Sequence, residues 1–358
     1  METNSAKSTE KRIRIGITQG DINGIGYEVI IKTLSDLRML ELFTPIVYGH
    51  SRVASYHKKN LSVGEFSFSL IKDASQANAK RLNIINCTEN DLKIDIGEST
   101  SVAGEAAYQA LEMAVADLKN DLIDVLVTAP INKQNIQSEL FDFVGHTEYL
   151  SSHFDNREPL MLMVWNDLRV GTITGHVPLS EVPERITIPL LIKKITILNQ
   201  SLITDFGIIK PKIAVLGLNP HAGDGGLIGN EETTVIIPAI EKVRKEKGIL
   251  AFGPFPADGF FGASTWKKYD AVLSMYHDQG LAPFKSIAFD GGVNFTAGLP
   301  IVRTSPAHGT AYEIAGKNLA SEQAFRQSIY LAMDIIRNRW QHEELISTQL
   351  KPGVLPNL

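Results

Sequence analysis

The stretch IRIGITQGDINGIGYEVIIKTLSDLRML, from Ile13 to Leu40, decides the fold class. Its first six residues, Ile13–Thr18, form a short β-branched run that is typical of a buried strand. Glycines then interrupt the run, and apolar residues recur at helical spacing from Tyr27 to Leu40. The order of strand, glycine turn and helix is the repeating unit of α/β proteins.

The same order recurs along the rest of the chain. The sequence predicts further strands at Thr44–Gly49, Arg81–Cys87, Asp124–Thr128, Leu160–Trp165, Val170–Thr174, Lys212–Leu216 and Ala271–Met275. It predicts further helices at Ser101–Lys119, with Ser101 as the cap, and at Ile186–Gln200, Glu231–Lys247 and Gln323–Arg339. Strands that alternate with helices of this length favour a parallel or mixed sheet covered on both faces.

Composition excludes several classes of protein. The 358 residues are 44% hydrophobic, enough for a buried core in about two domains. The 35 basic and 40 acidic residues give a net charge of -5, which leaves no electrostatic footprint for duplex nucleic acid or an anionic membrane. No apolar run approaches the roughly 18–20 residues of a membrane helix. We expect a cytoplasmic enzyme or binding protein with a disordered leader, Met1–Arg12, and a frayed C-terminal KPGVLPNL.

Three of the nine histidines directly follow predicted strands. His176 follows VGTITG, His221 follows KIAVLGLNP and His277 follows AVLSMY. Ligands of α/β proteins bind beyond the carboxyl ends of strands, and the single cysteine, Cys87, excludes a thiolate cage. The sequence therefore permits a divalent metal on three imidazoles with one open coordination position. The alternative for each histidine is a loop residue that makes ordinary hydrogen bonds.

Acidic and cationic side chains accompany these histidines. Asp258 in FGPFPADG and Asp278 beside His277 are candidates for acid–base or supporting roles, or for turn formation. Lys285, Asn294 and Arg303 recur in glycine-rich loops, which suits a substrate bearing carboxylate or phosphate, although solvated surface charge is the alternative. His146 and Thr147 in FVGHTEYL can bind polar substrate groups or cap a helix.

The glycine-rich segment NPHAGDGGLIGNEE, Asn219–Glu232, opens a predicted helix. Backbone N–H groups at such a place can approach a phosphate. However, the spacing is not G-x-G-x-x-G, since Ile228 stands where the third glycine belongs, and no P-loop motif occurs. By motif alone the segment is a flexible turn, and Asp224 within it is a turn residue.

Several blocks of the sequence, from about Ile13 to Gly316, closely resemble the 4-hydroxythreonine-4-phosphate dehydrogenase family of vitamin B6 biosynthesis. The blocks are GITQGDINGIGYE, VTAPINK, GHTEYL, TGHVPLSEV, LGLNPHAGDGGLIGNEE, GPFPADGFF and YDAVLSMYHDQGLAPFK through GVNFTAGLPIVRTSPAHGTAYEIAG. The first glycine loop departs from the family, because it reads GDINGIG where many members have GEPAGIG.

The resemblance implies a fold similar to isocitrate and isopropylmalate dehydrogenases, with two α/β/α domains and a cleft between them. It also implies a homodimer whose partner subunit completes the site, and NAD binding without the G-x-G-x-x-G fingerprint. We expect residues 1–140 and 300–358 to form the first domain and residues 141–299 the second, which holds the metal ligands.

The resemblance also implies roles for individual residues. His176, His221 and His277 are implied as metal ligands, and His146, Thr147, Lys285, Asn294 and Arg303 as contacts of the phosphorylated substrate. Asp258, Asp278 and Lys285 are expected to be catalytic, and Gly225, Gly226, Gly229 and Glu231 to bind the cofactor.

The reaction so implied is oxidation of 4-phosphohydroxy-L-threonine at C3 by NAD or NADP, with decarboxylation to 3-amino-2-oxopropyl phosphate. It would be assisted by one divalent ion, zinc, magnesium or cobalt. Alternative substrates on the same scaffold are 4-phospho-D-threonate and 4-phospho-D-erythronate. Two other classes stay open, a metal-dependent hydrolase of a phosphorylated metabolite and a catalytically silent metabolite-binding protein.

Overall fold

The computed structural model describes residues 11–64, 67–155 and 157–348, and these form two compact units. Unit 1 takes the described residues within Met1–Ser138 and Gly309–Glu322, and unit 2 those within Glu139–His308 and Gln323–Leu358. The division differs from the predicted one, because the long C-terminal helix packs on strands of unit 2. The expected leader, apart from Lys11 and Arg12, and the expected frayed end lie outside the described residues.

The strands and helices have the following bounds. The strands are β1 (Arg14–Thr18), β2 (Thr44–Gly49), β3 (Phe68–Ile71), β4 (Leu82–Asn86), β5 (Val125–Thr128), β6 (Leu160–Trp165), β7 (Leu168–Thr172), β8 (Lys212–Leu216), β9 (Leu250–Phe255), β10 (Ala271–Ser274), β11 (Val293–Ala297) and β12 (Arg303–Pro306). The α-helices are α1 (Gly26–Leu34), α2 (Met39–Leu42), α3 (Ser51–Lys59), α4 (Ser101–Lys119), α5 (His146–His153), α6 (Val182–Arg185), α7 (Ile188–Thr204), α8 (Ile237–Lys247), α9 (Ala257–Gly262), α10 (His277–Ile287) and α11 (Gln323–Ser347).

Unit 1 contains parallel strands in the order β3-β4-β2-β1-β5. Every residue of β2 and β5 is buried, as expected for parallel strands that are covered on both faces. Helix α4 packs on β1, β2 and β5 through a face rich in alanine. The predicted cap of this helix is wrong by one residue, because Thr100 rather than Ser101 accepts the hydrogen bond from the Ala103 amide.

The first helix is shorter than predicted. It ends at Leu34 instead of continuing to Leu40, and a turn separates it from α2. Ser35 donates its hydroxyl to the Lys32 carbonyl, and the Asp36 carboxylate accepts from the Arg38 amide. Side chains that bond to nearby backbone compete with helical hydrogen bonds, which explains the early end.

Unit 2 contains a mixed sheet with the order β12-β11-β6-β7-β10-β8-β9. Strands β7, β10, β8 and β9 are parallel, whereas β6, β11 and β12 join through antiparallel pairs. The carboxyl ends of β7, β10 and β8 therefore lie at one edge of the sheet. Because β12 runs opposite to β7, its first residue, Arg303, lies at this same edge.

Helix α7 belongs to the core of unit 2. It begins after Thr187, whose hydroxyl accepts from the Leu190 amide, and its buried face packs on β6, β11, α8 and α11. Among the described residues, no single helix has the length and apolar composition that a membrane crossing requires. The bent pair Leu179–Arg185 and Ile188–Thr204 meets that test by length and composition only.

Candidate functional site

The loops after β7 and β10 bring two of the predicted metal ligands together. The ring centroids of His176 and His277 are 5.6 Å apart, with 42° between the ring planes. The amide and the hydroxyl of Thr174 both donate to the Met275 carbonyl, at 3.2 and 2.8 Å. Backbone pairing thus continues to within two residues of each histidine, which fixes where the two loops diverge.

His277 is the first residue of α10 rather than a loop residue. Its Nδ1 atom lies 2.7 Å from Oδ1 of Asp278, and a third of its side chain is exposed. The neighbouring Asp278 is far more exposed. The contact leaves Nε2 of His277 as the ring nitrogen available to a ligand.

His221, the third predicted ligand, lies in a turn with left-handed backbone. Residues 221–225 have φ angles of 52, 52, 79, 43 and 66°. Glycine adopts this region readily, but His221, Ala222 and Asp224 are L-residues that seldom do. The predicted cofactor glycines Gly225, Gly226 and Gly229 also have positive φ, and His221 itself is exposed.

A carboxylate that sequence reasoning missed anchors this turn. Glu232 is buried, and its Oε1 accepts from the amides of Leu218 and Asn219, both at 2.7 Å. Its Oε2 accepts from the Asn219 side chain at 2.9 Å. The sequence did contain a signal, because Glu232 is the second acid of the NEE motif and this motif ends the glycine-rich segment that begins at Asn219. Glu232 is also the first residue of a π-helical turn, Glu232–Ile236, which precedes α8.

The neighbouring Glu231, a predicted cofactor residue, is only partly exposed. Its Oε2 accepts a hydrogen bond from the side-chain nitrogen, Nδ2, of Asn219 at 2.8 Å. Hydrogen bonds from its own backbone amide and from Asn219 hold the pKa of Glu231 below its ordinary value. The side chain therefore carries a negative charge beside the glycine turn at neutral pH.

The donor set fits a metal ion only in part. His176 and His277 offer two imidazoles at neighbouring strand ends, a ligand type that zinc and other divalent ions accept. However, the described part of the chain contains no group of three or more His, Cys, Asp or Glu side chains placed to hold a metal ion. The three-histidine site therefore stays a prediction.

A buried cation forms a second feature at the same sheet edge. Arg303 is 3% exposed, and its Nη2 lies 3.0 Å from Nδ1 of His146. A guanidinium can only donate, so Nδ1 accepts and the neutral imidazole carries its proton on Nε2. Burial lowers the pKa of Arg303 to about 10, an effect that the charge of Glu148 opposes. Arg303 stays charged at neutral pH in a poorly hydrated place, which favours an anionic ligand.

Asn294 and Thr296 share the sheet face of Arg303. Asn294 pairs with Ser305 across β11 and β12, and Arg303 donates to the Thr296 hydroxyl at 3.4 Å. The Oδ1 atom of Asn294 is buried without a hydrogen-bond partner among the described residues. A buried amide oxygen with no partner is costly, so a donor from a ligand or water is expected there.

Some predicted site residues lie apart from the His176–His277 and Arg303–His146 pairs. Thr147 lies half-buried in the first turn of α5, beside His146. Lys285 is exposed in the last turn of α10, about 12 Å along the helix from His277. Asp258 is exposed in a short helix, α9, so the alternative of turn formation is wrong for it. Within the described residues, the side chains of Asp258 and Lys285 make no hydrogen bond or ion pair.

A well-formed cavity of unit 2 lies elsewhere. Its volume is about 430 Å³, and Arg169, Phe206 and Asp334 are among the residues that line it. None of the predicted site residues lines it. Arg169 is the second residue of β7, near the edge opposite to His176, so the cavity is separate from the histidine pair. We place the candidate site at the histidine edge, where charge, imidazoles and glycine turns converge.

Comparisons with known proteins agree with this fold. Residues 41–332 match the family model described as pyridoxal phosphate biosynthetic protein PdxA. A 4-hydroxythreonine-4-phosphate dehydrogenase from Bacteroides thetaiotaomicron is 56% identical over 331 residues, which is 92% of this chain and 90% of the relative. A protein from Oceanobacillus iheyensis, named for D-threonate 4-phosphate dehydrogenation, is 38% identical over 329 residues, 91% of this chain and 98% of the relative.

A solved structure agrees as well. The crystal structure of 4-hydroxythreonine-4-phosphate dehydrogenase from Klebsiella pneumoniae has a TM-score of 0.78 and 33% identity, and covers 90% of this chain and 99% of that one. Fold and relatives together define an α/β oxidoreductase, so the predicted fold class is confirmed. The chain belongs to the family of the pyridoxal phosphate biosynthetic protein PdxA, which confirms the resemblance seen in the sequence blocks.

Proposed function

We propose that this chain oxidises 4-phosphohydroxy-L-threonine at C3 with NAD or NADP and releases 3-amino-2-oxopropyl phosphate and CO2. The observation that carries the proposal is that a buried Arg303–His146 pair and the His176–His277 pair lie at the same edge of the unit 2 sheet. The first suits an anionic substrate and the second suits polarisation of an alcohol oxygen. The 56% identity with a named dehydrogenase supports the same reaction.

Arg303 and its neighbours would bind the phosphorylated substrate. The charged, desolvated guanidinium of Arg303 attracts a phosphate or carboxylate more strongly than an exposed cation does. Asn294 offers a buried oxygen that needs a donor, and the substrate has an amino group and hydroxyl groups to supply one. We assign His146, Thr147 and Lys285 to the same substrate.

His176, His277 and His221 would hold the divalent ion, and Gly225, Gly226, Gly229 and Glu231 would contact the cofactor. When bound, the ion supplies Lewis acidity and NAD or NADP supplies the hydride acceptor. The positive φ angles at the three glycines leave backbone N–H groups uncovered by side chains, which suits contact with phosphates.

The reaction needs a base for one proton. Loss of a hydride from C3 and of the hydroxyl proton gives a β-keto acid, and CO2 then leaves with its bonding electrons kept at C2, which takes up a proton. Asp258 and Asp278 are the acidic residues that we propose for this proton transfer. The Asp278 carboxylate already contacts Nδ1 of His277 and orients that ring, whereas the Asp258 carboxylate has no hydrogen-bond partner among the described residues and is free to accept a proton.

The test replaces His221 by alanine and measures bound metal and NAD reduction at 340 nm, with and without chelator. We expect both to fall, and a His342→Ala variant on helix α11 to behave like the wild type. Survival of both metal and turnover in His221→Ala would show that the three-histidine site is wrong. A wild-type enzyme that reduces no NAD with the substrate would rule out the proposed reaction.

A second substrate deserves the same assay. The Oceanobacillus iheyensis relative is named for D-threonate 4-phosphate, which carries a hydroxyl where 4-phosphohydroxy-L-threonine carries an amino group. The higher identity to the Bacteroides thetaiotaomicron enzyme favours the amino acid substrate. Measurement of kcat/KM for both compounds and for 4-phospho-D-erythronate identifies the preferred substrate. Phosphate release without NAD reduction would instead indicate the hydrolase.

We also propose that the enzyme works as a cytoplasmic homodimer. Leu179 and Leu227 leave 70 and 81% of their surfaces exposed, and they lie three and six residues after His176 and His221 in the chain. Large apolar side chains exposed near a functional edge are typical of a surface that another protein covers. Light scattering during gel filtration tests the dimer, and a monomeric mass would contradict it.

A further inference from the structure

The side chain of Gln279 joins two strand ends of unit 2. Its Oε1 accepts a hydrogen bond from the Met275 amide at 2.7 Å, and its Nε2 donates to the Gly217 carbonyl at 2.7 Å. Met275 follows β10, Gly217 follows β8, and these two strands are neighbours in the sheet. One side-chain amide therefore links the segments that follow β8 and β10, at the point where each segment leaves the sheet.

The position of Gln279 in α10 explains how it makes both contacts. It is the third residue of the helix, from which a glutamine side chain can reach back to an amide before the helix start. Gly280 allows the close approach. A Cβ atom there would lie 2.4 Å from Oγ of Ser274 and 2.9 Å from a Val170 methyl carbon, so the first turn sits against β10 and β7.

Each end of the bridge leads directly to a predicted ligand. On one side, His277 lies two residues before Gln279 on the same helical turn. On the other side, Gly217 leads into the left-handed turn of His221, whose start is fixed by the Glu232 carboxylate. The Gly217 carbonyl is thus the last point at which the His221 segment is tied to the neighbouring strand.

We propose that Gln279 is a positioning residue whose amide sets the separation between His277 and the turn that carries His221. This inference rests in part on the proposed function, because it assigns both histidines to one site. The amide is required for a chemical reason. Its oxygen must accept from Met275 while its nitrogen donates to Gly217, and no carboxylate can do both.

Gln279→Glu separates the two contacts, because it keeps the shape and the acceptor for Met275. The new negative charge lies in the first turn of α10, where the helix dipole favours it. The second carboxylate oxygen, however, faces the Gly217 carbonyl and repels it. We expect circular dichroism like that of the wild type, and faster hydrogen exchange in a peptide covering residues 217–222.

The functional readouts are zinc affinity and steady-state kinetics. Titration of the metal-free variant with ZnCl2 should show a loss of affinity of roughly 10–100-fold, the usual effect of removing a group that orients metal ligands. We expect kcat to fall by a similar factor with KM for the substrate little changed, since the substrate contacts are elsewhere. Gln341→Glu, the same change at an exposed position of α11, is the matched control.

Gln279→Met provides a second, uncharged variant of similar length if Gln279→Glu does not fold. Wild-type exchange, zinc affinity and kcat in a folded variant would overturn the proposal. Failure of both variants to fold would overturn it as well, because the bridge would then serve the whole fold. If the wild type reduces no NAD but Gln279→Glu loosens residues 217–222 and weakens zinc binding, the proposed function fails and the positioning role stands.

Discussion

Nη2 of Arg303 lies 3.0 Å from Nδ1 of His146, and the two residues are 3% and 8% exposed. The contact joins the first residue of β12 to the first residue of α5, which are 157 positions apart in the chain. Because Nδ1 must accept, the arginine also determines which nitrogen of His146 carries the proton. The two side chains therefore act as one unit toward a ligand.

A double-mutant cycle tests that coupling. Arg303→Lys and His146→Ala should each lower kcat/KM for the phosphorylated substrate by more than about tenfold, mainly through KM, because a lysine cannot reproduce the planar fork. The coupling free energy should be about 1.5–3 kcal/mol, the range for hydrogen bonds of charged groups. Losses that simply add would show that the residues act independently.

Glu232 should stabilise the fold more than its neighbour does. Glu232→Gln places an NH2 group opposite the side-chain amide nitrogen of Asn219, so that two donors face each other. We therefore expect the free energy of unfolding to fall by about 1–3 kcal/mol. Glu231→Gln, the same change at a partly exposed position with a single hydrogen bond from the Asn219 side chain, should have a smaller effect. Urea unfolding of both variants makes the comparison, and equal losses would contradict the anchoring role of Glu232.

Acid should destabilise unit 1 through His57. Burial is the main cause that lowers the pKa of this ring, while its hydrogen bond to the Ile22 carbonyl opposes the shift. The unfolded chain then binds the proton more readily. The contribution of His57 is complete above its unfolded pKa of about 6.5 and is lost as pH falls from there toward the lower folded pKa.

The measurement is urea unfolding between about pH 8 and pH 5. The slope from one ring cannot exceed about 1.4 kcal/mol per pH unit. His57→Gln should remove that share of the slope and leave the part due to His50, whose pKa is also lowered by burial. An unchanged slope in His57→Gln would show that this ring does not titrate as expected.

Lys32 should matter because its partner is buried. Its Nζ donates to the Glu28 carboxylate at 2.8 Å and to the carbonyls of Asn318 and Ala320. Lys32→Met leaves the Glu28 charge buried without a cation, which should lower the free energy of unfolding by about 3–5 kcal/mol. Adding Glu28→Gln should recover part of that loss.

The matched control is an exposed pair with the same spacing. Arg185 and Glu181 also lie one helical turn apart, with 57% and 43% of their side chains exposed. Arg185→Met should change the free energy of unfolding by less than about 0.5 kcal/mol. Equal effects of Lys32→Met and Arg185→Met in urea unfolding would show that burial does not strengthen the first pair.

Sequence predicted the buried elements best. Helix α4 has the predicted bounds, and β2, β6 and β8 match as well, because continuous apolar runs and helical spacing leave few alternatives. Helix α10 was missed because Gly280 and Pro283 are residues that usually end helices. Gly280 is there for close packing on β10 and β7, a tertiary cause that no local pattern reveals.

The site could be predicted as a list of residues but not as an arrangement. Strand order determines that β7, β10 and β8 are neighbours, so the His176–His277 pair follows from topology rather than spacing. The Arg303–His146 contact likewise depends on antiparallel pairs that the sequence did not indicate. Gln279 was overlooked because its partners are backbone atoms, which leave no signature in the sequence.

The left-handed turn at residues 221–225 has an energetic consequence. Three of its members, His221, Ala222 and Asp224, are not glycine, and each disfavours this conformation by roughly 1–2 kcal/mol. The total, about 3–6 kcal/mol, is a large fraction of the net stability of about 5–15 kcal/mol that a typical protein has. The turn persists only because the hydrogen bonds around it outweigh this strain. The place of His221 is therefore set by a balance of opposing free energies rather than by local backbone preference.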